Sequence, residues 1–138
     1  MRIYIAASWA RRVEARALAR LLRDDGHEIV ATWLTFDGLD GPDSPPEPYD
    51  QGDEAMARFS EVDLEDVGRG EGFVMLNGDR GGPGGNGSQG GKFGELGKAL
   101  TLDKKIWIVG PPESIHCRNR RVTAVADVAA LRRALQPA

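Results

Sequence analysis

"RIYIAASWARRVEARALARLLRDDGHEIVATW", residues 2–33, decides the fold. Its opening, "RIYIAAS" (2–8), is a short apolar run rich in β-branched and aromatic residues and reads as a buried strand. The next stretch, "ARRVEARALARLLRDDG", places Val13, Ala17, Leu18, Leu21 and Leu22 on one helical stripe, with Gly26 as the stop. "HEIVATW" (27–33) reads as a second strand. Strand, helix, strand in so few residues is a βαβ unit, which demands a parallel sheet and a right-handed crossover.

The rest of the chain repeats the alternation. "DEAMARFSEVDLEDVGRG" is helical, with Ala55, Phe59, Val62, Asp66 and Val67 toward one side. "GFVML" (72–76) is a third strand ending at Asn77, a helix runs from about Lys92 to Leu102, and "KIWIVG" (105–110) is a fourth strand stopped by Pro111 and Pro112. "RVTAV" is a fifth strand and "DVAALRRAL" a final helix. Residues 36–52 hold four prolines, three glycines and five acids, which suits a lid, a binding loop or disorder. The expected architecture is a single domain over residues 1–138, an α/β three-layer sandwich on a five-stranded parallel sheet. Ligands of such sheets sit beyond the carboxyl ends of the strands, where strand order reverses. Ser8 and Asn77, at the ends of strands one and three, are therefore the first places to look.

The totals narrow the function. The chain has 138 residues, a formal net charge of −3 and one cysteine, Cys117. That balance argues against a nucleic-acid polymer as partner, since such binding needs a basic face. One Cys and two His give no zinc-site spacing, and a lone Cys fits a reducing, cytoplasmic setting. The apolar run in "MRIYIAASWARR" is short for a signal peptide, and no run reaches membrane-span length, so no membrane partner is expected.

"GNGSQGGKFGELGKAL" (85–100) carries the chemistry. Ten of the chain's 18 glycines fall between Gly78 and Gly97. Gly94 and Gly97 flank Glu95 inside a helix, where each glycine costs about 1 kcal/mol relative to alanine. Glu95 is expected in the first turn, where the positive end of the helix dipole keeps a carboxylate ionised. A positioned carboxylate is a nucleophile at a sugar carbon or stabilises an oxocarbenium-like transition state; a solvated acid at a helix start is the plain alternative. The glycine run is no Walker A, because Gly91-Lys92 is followed by Phe93, and "AASWARR" is no dinucleotide fingerprint.

"IYIAASW", "DLEDV" and "GGKFGELGKALTLDKKIWIVGP" together resemble the nucleoside 2-deoxyribosyltransferase family, over about Arg2 to Pro112. The nucleoside 5'-monophosphate N-glycosidases share that framework. The resemblance implies a flavodoxin-like sheet and a double displacement at C1' of a 2'-deoxyribose, with Glu95 as nucleophile. It implies that Tyr4 holds the nucleophile, that Trp9 lines the base pocket and that Asp63 faces base or sugar. Glu61, Glu65 and Asp66 are rivals of Asp63 on the same helix. It further implies no metal or organic cofactor and a homo-oligomer, a dimer or higher, whose second subunit completes the site.

Six residues before Glu95, where transferases carry an aspartate that protonates the base and the monophosphate hydrolases a serine, stands Gln89 beside Ser88. Glutamine is no general acid. Asp63 does that work, or hydrogen bonding alone does, or Ser88 is the true match and the substrate is a nucleotide. Ser8 with Arg11 and Arg12 is a candidate 5'-phosphate site, Gly91 is a candidate substrate-binding residue, and Gly94 and Gly97 let a ligand or a neighbouring backbone come close. His27 reads as structural; His116 and Cys117 lie where related chains reach a neighbouring subunit. The expected activity is cleavage or transfer of the N-glycosidic bond of a 2'-deoxynucleoside or its 5'-monophosphate. The alternatives are a nucleotide-binding module without turnover and a ribonucleotide phosphoribohydrolase, whose P-G-G-x-G-T-x-x-E pattern "GGPGGNGSQGGKFGE" matches loosely and without the threonine.

Overall fold

A computed structural model describes residues 1–36, 38–39, 41, 50–78 and 91–137. The elements are β1 (Arg2–Ala6), α1 (Arg12–Asp24), β2 (Glu28–Ile29), α2 (Asp53–Arg69), β3 (Gly72–Leu76), α3 (Gly91–Thr101), β4 (Lys105–Val109), β5 (Val122–Val125) and α4 (Val128–Leu135). Short 3-10 turns cover Trp9–Arg11, Thr32–Thr35 and Ile115–Arg118. The five strands are all parallel in the order β2-β1-β3-β4-β5. This is a flavodoxin-like three-layer sandwich, with the order reversing between β1 and β3.

The central strands are covered on both faces, which is why they read as unbroken apolar runs. Residues Ile3 to Ala6 of β1 and all of β3 are buried. Tyr4 and Phe73 are register partners, and their rings stack with centroids 5.8 Å apart. On one face α2 and α3 pack together, where Lys98 donates to the Leu64 carbonyl and Lys104 to that of Gly68 at 2.8 Å. On the other, α4 is tied to the end of α1 by a two-pronged Arg132–Asp25 pair, both contacts at 2.7 Å.

Several local expectations need correction. The face of α1 that meets the sheet is Ala15, Leu18, Ala19 and Leu22, a spacing that puts two alanines where backbones must come close. Val13 and Leu21 are exposed instead, and so is Ala17. On α2, Ala55, Asp66 and Val67 are buried as expected, Phe59 is half-buried against Phe36, and Val62 is exposed.

The second strand is shorter than 27–33. After Val30 donates to the Ile3 carbonyl, the chain turns into Thr32–Thr35, whose Thr32 N–H is held by the Asp66 carboxylate at 2.7 Å. That turn carries Trp33 over the sheet, where its indole N–H donates to the Ile5 carbonyl at 2.9 Å. At the end of α1, Gly26 takes a left-handed φ of 94°, and the His27 N–H reaches back to the Leu22 carbonyl, which closes the helix. The His27 ring lies 3.0 Å from the N-terminal ammonium.

Candidate active site

The strand order reverses between β1 and β3, the place where open parallel sheets bind ligands, and chemistry-bearing side chains converge near it. Tyr4 points from β1 toward the α2–α3 face. Its hydroxyl donates to the carboxylate of Glu95 on α3. Asp63 on α2 is close enough to raise the pKa of both. Three elements far apart in sequence thus deliver one phenol and two carboxyls to one place. Gly91 backs this cluster: a Cβ there would lie 4.0 Å from Glu95 Oε2.

Of the acids on α2, Glu61 and Glu65 are exposed. Asp66 is buried but committed to the Thr32 N–H and to Arg69. Asp63 alone of the four faces the Tyr4–Glu95 pair with a buried oxygen, Oδ1, that has no hydrogen-bond partner.

The electrostatics differ from the sequence expectation. Glu95 is the fifth residue of α3, and the helix has no acid in its first turn. The dipole of the helix start therefore does not govern it. Burial pushes the Glu95 carboxyl up to about 8, the Asp63 charge adds to the rise, and the Tyr4 hydrogen bond opposes it. Burial likewise raises Asp63 to about 7, with Asp66 adding to it. Burial and the two acids hold the Tyr4 phenol well above its ordinary value, so it remains a donor. Both carboxyls thus titrate near neutrality, Glu95 above Asp63, and their proximity couples the two. Two adjacent carboxyls that gain and lose protons near neutral pH suit nucleophilic attack coupled to protonation of a leaving group.

Ser8 and Asn77 stand where the strand ends predict. Ser8 is 6% and Asn77 3% exposed, and both Ser8 Oγ and Asn77 Oδ1 lack partners. Asn77 Nδ2 donates to the Pro111 carbonyl at 3.1 Å, and the Asn77 backbone carbonyl accepts from Arg11. Arg11 also pairs with Glu14 at 2.6 Å, while Arg12 donates to the carbonyls of Leu39 and Trp9. The two arginines of the candidate phosphate site are thus engaged with the protein. Trp9 is half-buried, tilted against Trp33 at 6.3 Å and covered by the Arg12 guanidinium at 5.7 Å. Ser88 and Gln89 lie outside the described residues. Among the described residues, open space surrounds Gly94 and Gly97 where a Cβ would stand, so packing within the chain does not require either.

Cys117 is buried next to this region. Burial alone would raise its thiol, but Ser114 Oγ at 3.3 Å, backbone groups of Glu113 and Ser114, and Asn77 Nδ2 at 3.5 Å bring it below the ordinary value. His116 is exposed. Two residues that the sequence reading missed also sit here, Lys92 and Glu113. Their side chains are 1% and 4% exposed, and they form an ion pair at 3.2 Å. A lysine in the first turn of a glycine-rich helix, three residues before Glu95, was the available signal. Among the described residues there is no group of three or more His, Cys, Asp or Glu side chains that would hold a metal ion. Among them too, no helix is long and apolar enough to cross a membrane.

No protein-family model matches the sequence, and no curated protein matches it. Among solved structures, the chain is similar to the CMP N-glycosidase BcmB of Clostridium botulinum, with a TM-score of 0.60 and 16% sequence identity, over 98% of each chain. At that identity the likeness establishes a shared fold.

Proposed function

We propose that this chain, a cytoplasmic homo-oligomer of the nucleoside 2-deoxyribosyltransferase type, cleaves or transfers the N-glycosidic bond of a 2'-deoxynucleoside or its 5'-monophosphate. The observation that carries the reading is the meeting of Tyr4, Asp63 and Glu95 at the strand-order reversal. A Glu95 oxygen attacks C1' of the sugar as the bond from C1' to the base nitrogen breaks. The electron pair of that bond goes to the base, which takes a proton from Asp63. A water or a second base then attacks C1', the bond to Glu95 breaks, and the incoming group gives its proton to Asp63. Two displacements at one carbon retain the configuration.

Tyr4 steadies the Glu95 anion in a place where burial opposes it. Assigning the acid to Asp63 answers the question raised by Gln89, because its raised pKa keeps a proton available near neutral pH. Ser8 Oγ and Asn77 Oδ1, both buried and unpartnered, are the groups to meet sugar or base polar atoms, with Trp9, Arg11 and Gly91 as further contacts.

A second reading replaces deoxyribose by ribose. It is favoured by the similar solved structure, which is that of an enzyme named for CMP, a ribonucleotide. Incubation with a panel of ribo- and deoxyribonucleosides and their 5'-monophosphates, followed by chromatography for free base, tests both. Release of base from deoxy substrates supports the first reading and release from ribose substrates alone the second. Binding without any released base would leave the non-catalytic module.

A further inference from the structure

Lys92 and Glu113 form an ion pair that is almost wholly removed from solvent. Taking two charges out of water is costly, and well-packed apolar residues often do as well or better for stability. The pair therefore calls for a reason other than holding the fold together. Its connections supply one. Lys92 Nζ also donates to the carbonyl of Leu76, the last residue of β3, at 3.3 Å. Glu113 Oε1 accepts both from Lys92 and from the backbone N–H of Gly78, at 2.9 Å. One carboxylate oxygen thus joins the chain leaving β3 to the first turn of α3. Glu113 itself follows Pro111 and Pro112, beyond β4, and Pro111 is held by Asn77. Three segments are pinned at the carboxyl end of the sheet, and Lys92 precedes Glu95 by three residues, nearly one helical turn.

We infer that the Lys92–Glu113 pair is a positioning device that fixes the start of α3 against the end of β3 and so seats Glu95 against Tyr4. As a statement about turnover this rests on the function proposed above; as a statement about geometry it does not.

The test is the double variant Lys92→Met/Glu113→Leu, compared with each single variant. The singles strand a buried charge and should lower Tm markedly, while the double should melt close to the wild type. In the folded double variant, the kcat for base release should fall about tenfold or more, with KM within about threefold, the split expected of a displaced nucleophile. A second readout needs no activity: titration of the Glu95 side-chain carboxyl by carbon-13 NMR. Removing a neutral pair leaves little direct charge effect, so a midpoint that falls by about one pH unit or more reports water reaching a loosened Glu95.

An unchanged midpoint together with unchanged kcat in the folded double variant overturns the inference. If the wild type releases no base from any nucleoside or nucleotide, the functional reading fails and the titration alone decides the positioning role. If the double variant does not fold, Lys92→Gln/Glu113→Gln replaces it, since that pair is also neutral and its amides still donate and accept. A smaller shift in the same direction supports the inference, and an unshifted midpoint overturns it.

Discussion

The hydroxyl of Tyr4 donates a hydrogen bond to the carboxylate of Glu95, joining β1 to α3 across 91 residues of sequence. It is the contact that opposes the rise of the Glu95 pKa. Tyr4→Phe should therefore raise that pKa further and move the acid limb of the kcat/KM profile to higher pH. A hydrogen bond to a charged group is worth about 1.5–3 kcal/mol, so the rate on the plateau should fall roughly 10- to 100-fold. A pH–rate profile for both proteins checks this. An unmoved limb would mean that Tyr4 only packs on Phe73.

Asp63→Asn separates base protonation from attack. With ordinary nucleosides or nucleotides the loss should be about 10²–10⁴-fold, the usual weight of a general acid. A substrate whose base is already cationic, such as an N7-methylated purine, leaves without needing a proton and should be affected far less. Steady-state kinetics on the two substrate types gives the answer, and equal losses on both would remove Asp63 from the acid role.

Both carboxyls also tie stability to pH. Their folded pKa values, about 7 and about 8, lie above those of exposed acids. The folded state binds more protons than the unfolded one, so this contribution is complete below about pH 4 and is lost as pH rises through 7 and 8. The ligand-free protein should lose up to about 6 kcal/mol between pH 5 and pH 9 from this pair. Glu95→Gln should flatten the curve and melt higher than wild type at pH 9. Denaturant melts at several pH values measure it, and parallel curves for the two proteins would contradict the assignment.

Gly110 packs closely on the backbone of Asn77. Its φ is 103°, and a Cβ there would stand 2.8 Å from the Asn77 carbonyl oxygen, a backbone atom that cannot step aside cheaply. Gly110→Ala should cost about 2 kcal/mol or more, or about 5–10 °C in Tm. Thermal unfolding tests it, and a loss within about 1 °C would show that the Asn77 backbone yields.

How the sequence foretold these features varies with the physics behind each. Residues 72–76 and 105–109 read correctly as strands because a strand buried on both faces leaves an unbroken apolar run. The α1 stripe was misread because Leu21 and Val13 are apolar yet face solvent, while small Ala15 and Ala19 face the sheet. Hydrophobicity ranks leucine above alanine, but close helix–sheet approach ranks them the other way. At the site, Glu95 stood out from the residues alone, whereas Tyr4 and Asp63, the latter with three rivals on its helix, followed only from the family resemblance, which also implied the Tyr4–Glu95 contact. Of the Lys92–Glu113 pair the sequence offers only a lysine in a glycine-rich first turn, since its burial and its partner emerge only when the chain is folded. The raised pKa of Glu95 was likewise hidden, because the helix starts one residue earlier than expected and burial outweighs the dipole.

The central claim is that Glu95 bonds to the anomeric carbon during turnover. Mass spectrometry of the intact protein, quenched in acid during incubation with a substrate found by base release, tests it most directly. The account predicts a mass increase of one sugar or sugar phosphate, mapped to Glu95 by peptide digestion, and neither adduct nor measurable base release in Glu95→Ala. A Glu95→Ala protein that releases base at the wild-type rate, or an adduct mapped to another residue, would contradict it.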